Sequence, residues 1–263
     1  LDLAEGVLYY FNQERQLSWG GGLFQTLRLR TDTSHPGVPF THYERFLGGR
    51  AIARHPLNRF TWIEASVGAG SARYFVTDAT RELLSNPGFR SELGLDPTFS
   101  DYYADWRQRV GGDRLQGEAM LRAGFDTLRY DPMSGPLAGT SVMIELAGNY
   151  QPTESVAFSN LRMDAAHYLH IAHRITLMGQ LGLGTSFGGY YAQEYFLSSY
   201  DTLRGVHFGD QRFLVGRNYG FSSLELQVPL NQIIAAIFLS NIEAVVGVDF
   251  GGVGENVRDA FEK

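Results

Sequence analysis

Apolar and polar residues alternate by twos along most of this chain. In Thr176–Phe187, Leu177, Leu181, Leu183 and Phe187 fall on one side, and Thr176, Met178, Gln180, Gly182, Gly184 and Ser186 on the other. A strand throws successive side chains to opposite faces, so the pattern predicts a strand with one apolar face and one polar, small-residue face. The period continues in Phe221–Val228, where Leu224, Leu226 and Val228 oppose Ser223, Glu225 and Gln227. In Ile242–Phe250, Ile242, Ala244, Val246, Val248 and Phe250 oppose Glu243, Val245, Gly247 and Asp249. Upstream it runs through Thr61–Tyr74, Glu118–Arg129, Thr140–Asn149 and Phe158–Leu169, with Ser18–Arg30 and the shorter Gly6–Asn12 before them. Thr41–Arg54 is ambiguous, and its Gly48-Gly49 pair suits a bent or bulged strand. Together these segments predict roughly ten strands joined as hairpins.

Two stretches break the rhythm. From Val76 to Asp113, Thr77–Leu84 reads as a short helix with Thr77 as its cap, Asn86-Pro87-Gly88 ends it, and Ser100–Val110 reads as a second. Residues 76–113 are therefore expected to form a loop insertion, partly helical, and residues 188–218 a second long loop that folds inward. The glycines of Gly182 and Gly184, on the polar face, are expected to leave room for it.

The make-up of the polar faces decides between two all-β architectures. A soluble sandwich would turn Lys, Glu and Thr to bulk water. Here the faces carry Gly, Ser, Gln, Glu, Arg and Asp, and the chain has one lysine, Lys263. Arginines and carboxylates that pair in a confined lumen fit a transmembrane antiparallel β-barrel. The 31 glycines among 263 residues suit tight turns and strands. Mean hydropathy is -0.17, and no apolar run approaches the ~18 residues of a membrane helix. A spanning β-strand needs only ~10 residues, half of them facing the lumen, so this leaves a barrel open. The net charge of -6 and the lack of a basic patch argue against nucleic acid. The absence of cysteine excludes disulfides and thiolate metal sites.

Enzymatic chemistry finds little support. There is no G-x-S-x-G, H-E-x-x-H or Walker loop. Gly179, Gly182 and Gly184 lie on a strand with no helix following. His167, His170 and His173 alternate faces on strands and do not suggest a metal. Ser159 with His167 or His170 is the one nucleophile–base pairing the sequence offers. No enzyme, metal or cofactor is expected.

Several motifs then carry a resemblance. Leu203-Arg204-Gly205-Val206 is followed by Glu225 in a Leu-Glu-Leu strand that ends Val228-Pro229-Leu230, and then by Val248-Asp249-Phe250-Gly251. Upstream stand Asp126-Thr127-Leu128-Arg129-Tyr130-Asp131-Pro132 and Pro136-Leu137-Ala138-Gly139-Thr140. In this order, over about half the chain, they resemble the C-terminal barrel of the bacterial surface antigen superfamily. That superfamily includes the outer-membrane assembly insertase, its translocation-module relative and two-partner secretion transporters. The resemblance implies an outer-membrane barrel of the assembly-factor type, here expected to be incomplete and without a POTRA domain in the chain. It implies that Arg204, beside Gly205, folds into the lumen and latches onto Glu225 and Asp249, which share the lumen-facing parity of their strands. Asp126, Arg129 and Asp131 are expected to be turn and interface residues at a strand end. The function implied is insertion or translocation of polypeptides at the bacterial outer membrane. The alternative is a passive channel or structural barrel in a larger envelope complex. The implied partners are outer-membrane lipid, client polypeptides and envelope proteins that supply missing strands or the POTRA function.

Overall fold

The computed structural model describes residues 5–13, 16–32, 40–76, 104, 106–107, 112–131, 135–172, 175–188, 192, 195–197, 204, 215–230 and 243–255. The fold is all-β and antiparallel. Its strands are β1 (Gly6–Asn12), β2 (Ser18–Asp32), β3 (Phe40–Pro56), β4 (Thr61–Phe75), β5 (Gly112–Asp126), β6 (Arg129–Asp131), β7 (Gly135–Gln151), β8 (Val156–Ala172), β9 (Ile175–Phe187), β10 (Tyr195–Phe196), β11 (Val215–Gly216), β12 (Asn218–Pro229) and β13 (Glu243–Gly254). The large sheet runs β1-β2-β3-β4-β5-β7-β8-β9-β12-β13, with β6 paired to β7 beside this path. The strands β2 to β5, β7 and β8 are 15–17 residues long, beyond the ~10 that cross a bilayer at a barrel's tilt.

The period of two sorts the faces as expected. On β4, Ser66 is 5% exposed and its neighbour Val67 is 62% exposed. Ile63, Val67, Leu115, Leu121, Ile144 and Leu146 all project from the outer face into the surroundings. Glu64, Gln116, Asn160 and Ser223 are buried on the inner face. This is inverted relative to a water-soluble domain, in which the apolar face is the buried one. The sheet is open among the described residues: β1 and β13 are its two edges and do not pair with each other.

Three expectations change. Residues 41–54 belong to a regular strand, β3, in unbroken register with β2 and β4. The segment expected over Glu118–Arg129 starts earlier and ends at Asp126, where the Asp126 carboxylate accepts a hydrogen bond from the Leu128 N–H at 2.8 Å and turns the chain; Arg129 opens β6. The space over Gly182 and Gly184 is filled by the rings of Phe221 and Tyr219 from the neighbouring strand, where a Cβ would overlap them. The expected helix Thr77–Leu84 lies outside the described residues. Of Ser100–Val110, Ala104, Trp106 and Arg107 are described and have helical backbone.

Candidate functional site

The site is built where β12 and β13 pair. Ser223 stands directly opposite Asp249, and Glu225 opposite Gly247. Because the strands alternate, Ser223, Glu225, Gly247 and Asp249 share the inner face. Arg204 descends onto this square from the long connection between β9 and β12. Its Nε donates to Asp249 Oδ2 at 2.9 Å and its Nη2 to Asp249 Oδ1 at 2.7 Å, a two-pronged grip that suits the planar guanidinium. The Arg204 backbone N–H also donates to Asp249 Oδ2, at 2.9 Å. The same Nη2 reaches Glu225 Oε1 at 2.8 Å and donates to Ser223 Oγ at 3.1 Å. Ser223 in turn donates to Asp249 Oδ1 at 2.6 Å.

The acids are well enclosed and the arginine is not. The Asp249 side chain is 6% exposed, that of Glu225 14% and that of Arg204 44%. Two carboxylates this close would repel one another without the cation. The hydrogen bonds that Arg204 donates to Asp249, and the charge of Glu225 and Asp249, hold its guanidinium still further above its already strongly basic range. It therefore stays charged at any working pH. Gly205 lies outside the described residues.

Ser223 and Gly247 belong to this site, and neither stands out in the sequence. A Cβ at Gly247 would come 2.8 Å from Arg204 Nη2 and 2.7 Å from the Leu224 carbonyl oxygen. The missing side chain is what admits the guanidinium.

A second attachment holds the same connection. Tyr195 and Leu197 are buried in a cluster with Tyr219, Phe221 and Val253 of the inner face. The Tyr195 and Tyr219 rings are 4.6 Å apart, and Tyr219 stacks on Phe221 at 6.3 Å with planes 14° apart. The hairpin of β10 and β11 presents Tyr195 to this patch.

Elsewhere the inner wall carries ion pairs. Arg50 Nε donates to Glu118 Oε1 at 2.6 Å across the sheet. Arg54 binds Glu64 at 2.7 Å, Arg122 reaches Glu64 at 3.4 Å, and Arg122 donates to Glu145 at 2.6 Å, which makes a chain of alternating charge over four strands. Toward the end that leads into residues 77–111, Gln151 donates to Gln116 at 2.9 Å and to the Tyr74 hydroxyl at 3.2 Å. There Trp106, 1% exposed, lies against His42 with ring centroids 4.9 Å apart.

Comparison with solved structures places this architecture. BamA from Haemophilus ducreyi lacking POTRA domains 1–3 superposes with a TM-score of 0.54 at 18% identity, over 93% of this chain and 48% of that one. CdiB from Acinetobacter baumannii superposes with a TM-score of 0.53 at 10% identity, over 97% of this chain and 40% of that one. The chain has the fold of the BamA and CdiB barrels. These neighbours match the superfamily that the sequence motifs resemble. The chain spans less than half the length of each. It matches no protein-family model and no curated protein sequence.

Within this BamA-like fold the strand-end residues are placed as follows. Besides its bond to Leu128, Asp126 donates its backbone N–H to the Phe60 carbonyl at 2.8 Å, which ties two neighbouring turns together. Thr127 and Thr140 exchange backbone and side-chain hydrogen bonds at 2.8–3.2 Å. Gly139 has φ +113°, and a Cβ there would collide with the Thr127 carbonyl, so only glycine fits. Arg129 and Asp131 pair with Ala138 and Gly135 of β7. The arrangement closes a turn.

The structure does not assemble the one nucleophile–base pairing considered. Ser159 and His167 lie eight residues apart on the same strand, β8, about 26 Å at ~3.3 Å per residue. His170 is farther along it.

Proposed function

We propose that this chain forms the greater part of a wall in a bacterial outer-membrane barrel that inserts or translocates polypeptides, with the Arg204 loop seated against the inner wall. One observation carries the reading: a loop guanidinium gripped by Asp249 and Glu225 on adjacent inner faces, within a sheet of the BamA and CdiB fold. The apolar outer face and charge-paired inner face support a sheet with lipid on one side and water on the other. An open sheet cannot stand in lipid with bare edges, since each unpaired backbone group costs several kcal/mol there. Strands beyond the described ones, from this protein or a partner, complete the ring around β1 and β13.

The test is refolding of a reporter barrel into liposomes that contain the protein. An insertase shortens the folding time of the reporter, and Arg204→Ala abolishes the gain. Steady conductance without acceleration would identify a passive channel, and neither effect, with co-purifying envelope proteins, a structural wall.

A further inference from the structure

The turn that joins β3 to β4 and the turn after β5 frame a cavity of about 720 Å³. It lies at the end of the sheet opposite the long connections from β4 to β5 and from β9 to β12. Its volume is within the ~300–1,000 Å³ typical of ligand pockets. Ser18, Arg54 and Trp62 line it. Arg54 stands in register with both Ser18 and Glu64, and Trp62 lies two residues before Glu64, so all three belong to the inner face. The cavity therefore opens at the inner mouth of the wall and not on its apolar outer side. Short turns mark the periplasmic side of outer-membrane barrels.

Two guanidinium groups in this cavity have no acid of their own. Arg59 and Arg129 both line it, and both are exposed. Among the described residues neither side chain makes a hydrogen bond or an ion pair. Arg59 lies over the Phe60 ring, 4.4 Å from its centroid. That stacking occupies the face of the guanidinium and leaves its N–H edge open. Arg54 stacks on Trp62 at 4.2 Å but is already paired with Glu64. The one carboxylate among the lining residues is Asp126, whose Oδ1 accepts the Leu128 N–H. The backbones that carry the two arginines are fixed. Asn58 Oδ1 accepts the Phe60 and Thr61 N–H groups at 2.8 and 2.9 Å, and the Asp126 N–H bond to the Phe60 carbonyl joins the two turns. Such preorganisation lowers the entropy cost of binding.

We infer that Arg59 and Arg129 form a docking cleft for an acidic, extended polypeptide segment at this mouth. The inference rests on the outer-membrane reading above. On an extended segment, carboxylates two residues apart share a face at ~6.6 Å, within reach of long arginine side chains on two adjacent turns. Each guanidinium can take a carboxylate through two parallel hydrogen bonds. The Tyr130 ring, 65% exposed, also lines the cavity and gives the segment an apolar surface to lie on. The chain as a whole carries a net charge of -6, which repels such a segment elsewhere and directs it to the basic cleft.

The test uses the protein refolded into phosphatidylcholine nanodiscs, which leave both mouths open. The probe is a fluorescein-labelled peptide of alternating Glu and Thr, read by anisotropy, with the same peptide carrying Gln for Glu as control. Wild type binds the Glu peptide in preference to the Gln peptide. Arg59→Gln with Arg129→Gln weakens binding of the Glu peptide by about tenfold, or ~1.4 kcal/mol. Asp126→Asn, which keeps the acceptor for Leu128, strengthens it. Heat-modified gel mobility confirms that each variant is folded. Equal binding of the Glu peptide by wild type and the double glutamine variant overturns the inference. Displacement of the peptide by inorganic phosphate at comparable concentration identifies a general anion site, and displacement by phosphatidic acid in the disc a lipid site; either overturns it. A wild type that speeds folding of the reporter barrel yet binds both peptides alike overturns this inference alone. Failure of the wild type to enter nanodiscs or vesicles at all overturns both readings.

Discussion

Replacing Arg204 by alanine is the sharpest perturbation of the loop site. It removes two side-chain hydrogen bonds to Asp249, one to Ser223 and the contact with Glu225, and leaves the backbone N–H bond to Asp249 in place. A solvent-exposed ion pair is worth ~0.2–1 kcal/mol, and breaking a buried one costs ~3–5 kcal/mol. Arg204 is 44% exposed while Asp249 is 6% exposed, so the loss falls between these limits, at about 2 kcal/mol. That is about a thirtyfold rise in the undocked population. Tyr195 and Leu197 still hold the near part of the connection, so the release is local to the segment around residue 204. Cleavage by chymotrypsin reads it, since the connection contains Tyr190, Tyr191, Phe208 and Phe213. When opening and closing are fast, the cleavage rate follows the open population. The rate is expected to rise about thirtyfold in Arg204→Ala, and by less when Asp249→Asn is already present, because the two residues share one interaction. Cleavage within twofold of wild type, or effects of the two substitutions that simply add, would refute the reasoning.

Other expectations follow from the same geometry. Ser223→Ala leaves Asp249 Oδ1 without its 2.6 Å partner, at a cost of about 1 kcal/mol, and raises the same cleavage rate about fivefold. Gly182→Ala drives a methyl group into the Phe221 ring, costs about 1–3 kcal/mol and lowers the denaturant midpoint of refolded protein, while Phe221→Leu in the same chain recovers part of the loss. Glu118→Gln leaves Arg50 facing a neutral partner on the inner wall and lowers thermal resistance on gels, whereas Arg50→Met with Glu118→Met restores most of it. Alkaline pH should not release the loop. A group with a raised pKa loses its contribution only as pH climbs through that raised value, and for Arg204 this lies above its ordinary, strongly basic one. Loop release between neutral and moderately alkaline pH, followed by the same cleavage assay, would contradict this.

The sheet was legible in the sequence because its two faces differ in composition. A period of two with leucine and valine on one side and Gly, Ser, Gln and paired charges on the other is what β4, β5, β7 and β9 needed to reveal their parity. β3 was harder to read: its outer face is small (Gly49, Ala51, Ala53) and its inner face holds Phe46 and Ile52, so apolarity does not alternate there. The parity of Glu225 and Asp249 was readable, and the structure turns both inward. Ser223 and Gly247 carry no sequence signal, because a serine and a glycine on a polar face look alike wherever they fall; only the strand register puts one against Asp249 and the other under a guanidinium. Tyr195 and Leu197 gave no signal either, since two apolar residues in a long connection carry no period. The alternate glycines at 182 and 184 do mark space, but its occupants are the Phe221 and Tyr219 rings and not the loop. A ring on the adjacent strand reaches that space directly, whereas a loop must first fold back.

The central claim is that the outer face meets lipid and the inner face meets water. Single cysteines can test it residue by residue, because the chain has none of its own. Spin labels at Ile63, Ala65 and Val67, and at Glu64, Ser66 and Gly68, would be compared in liposomes for access to oxygen and to a water-soluble nickel chelate. The account predicts oxygen access at 63, 65 and 67 and nickel access at 64, 66 and 68, in strict alternation. Equal nickel access along the whole strand would contradict it.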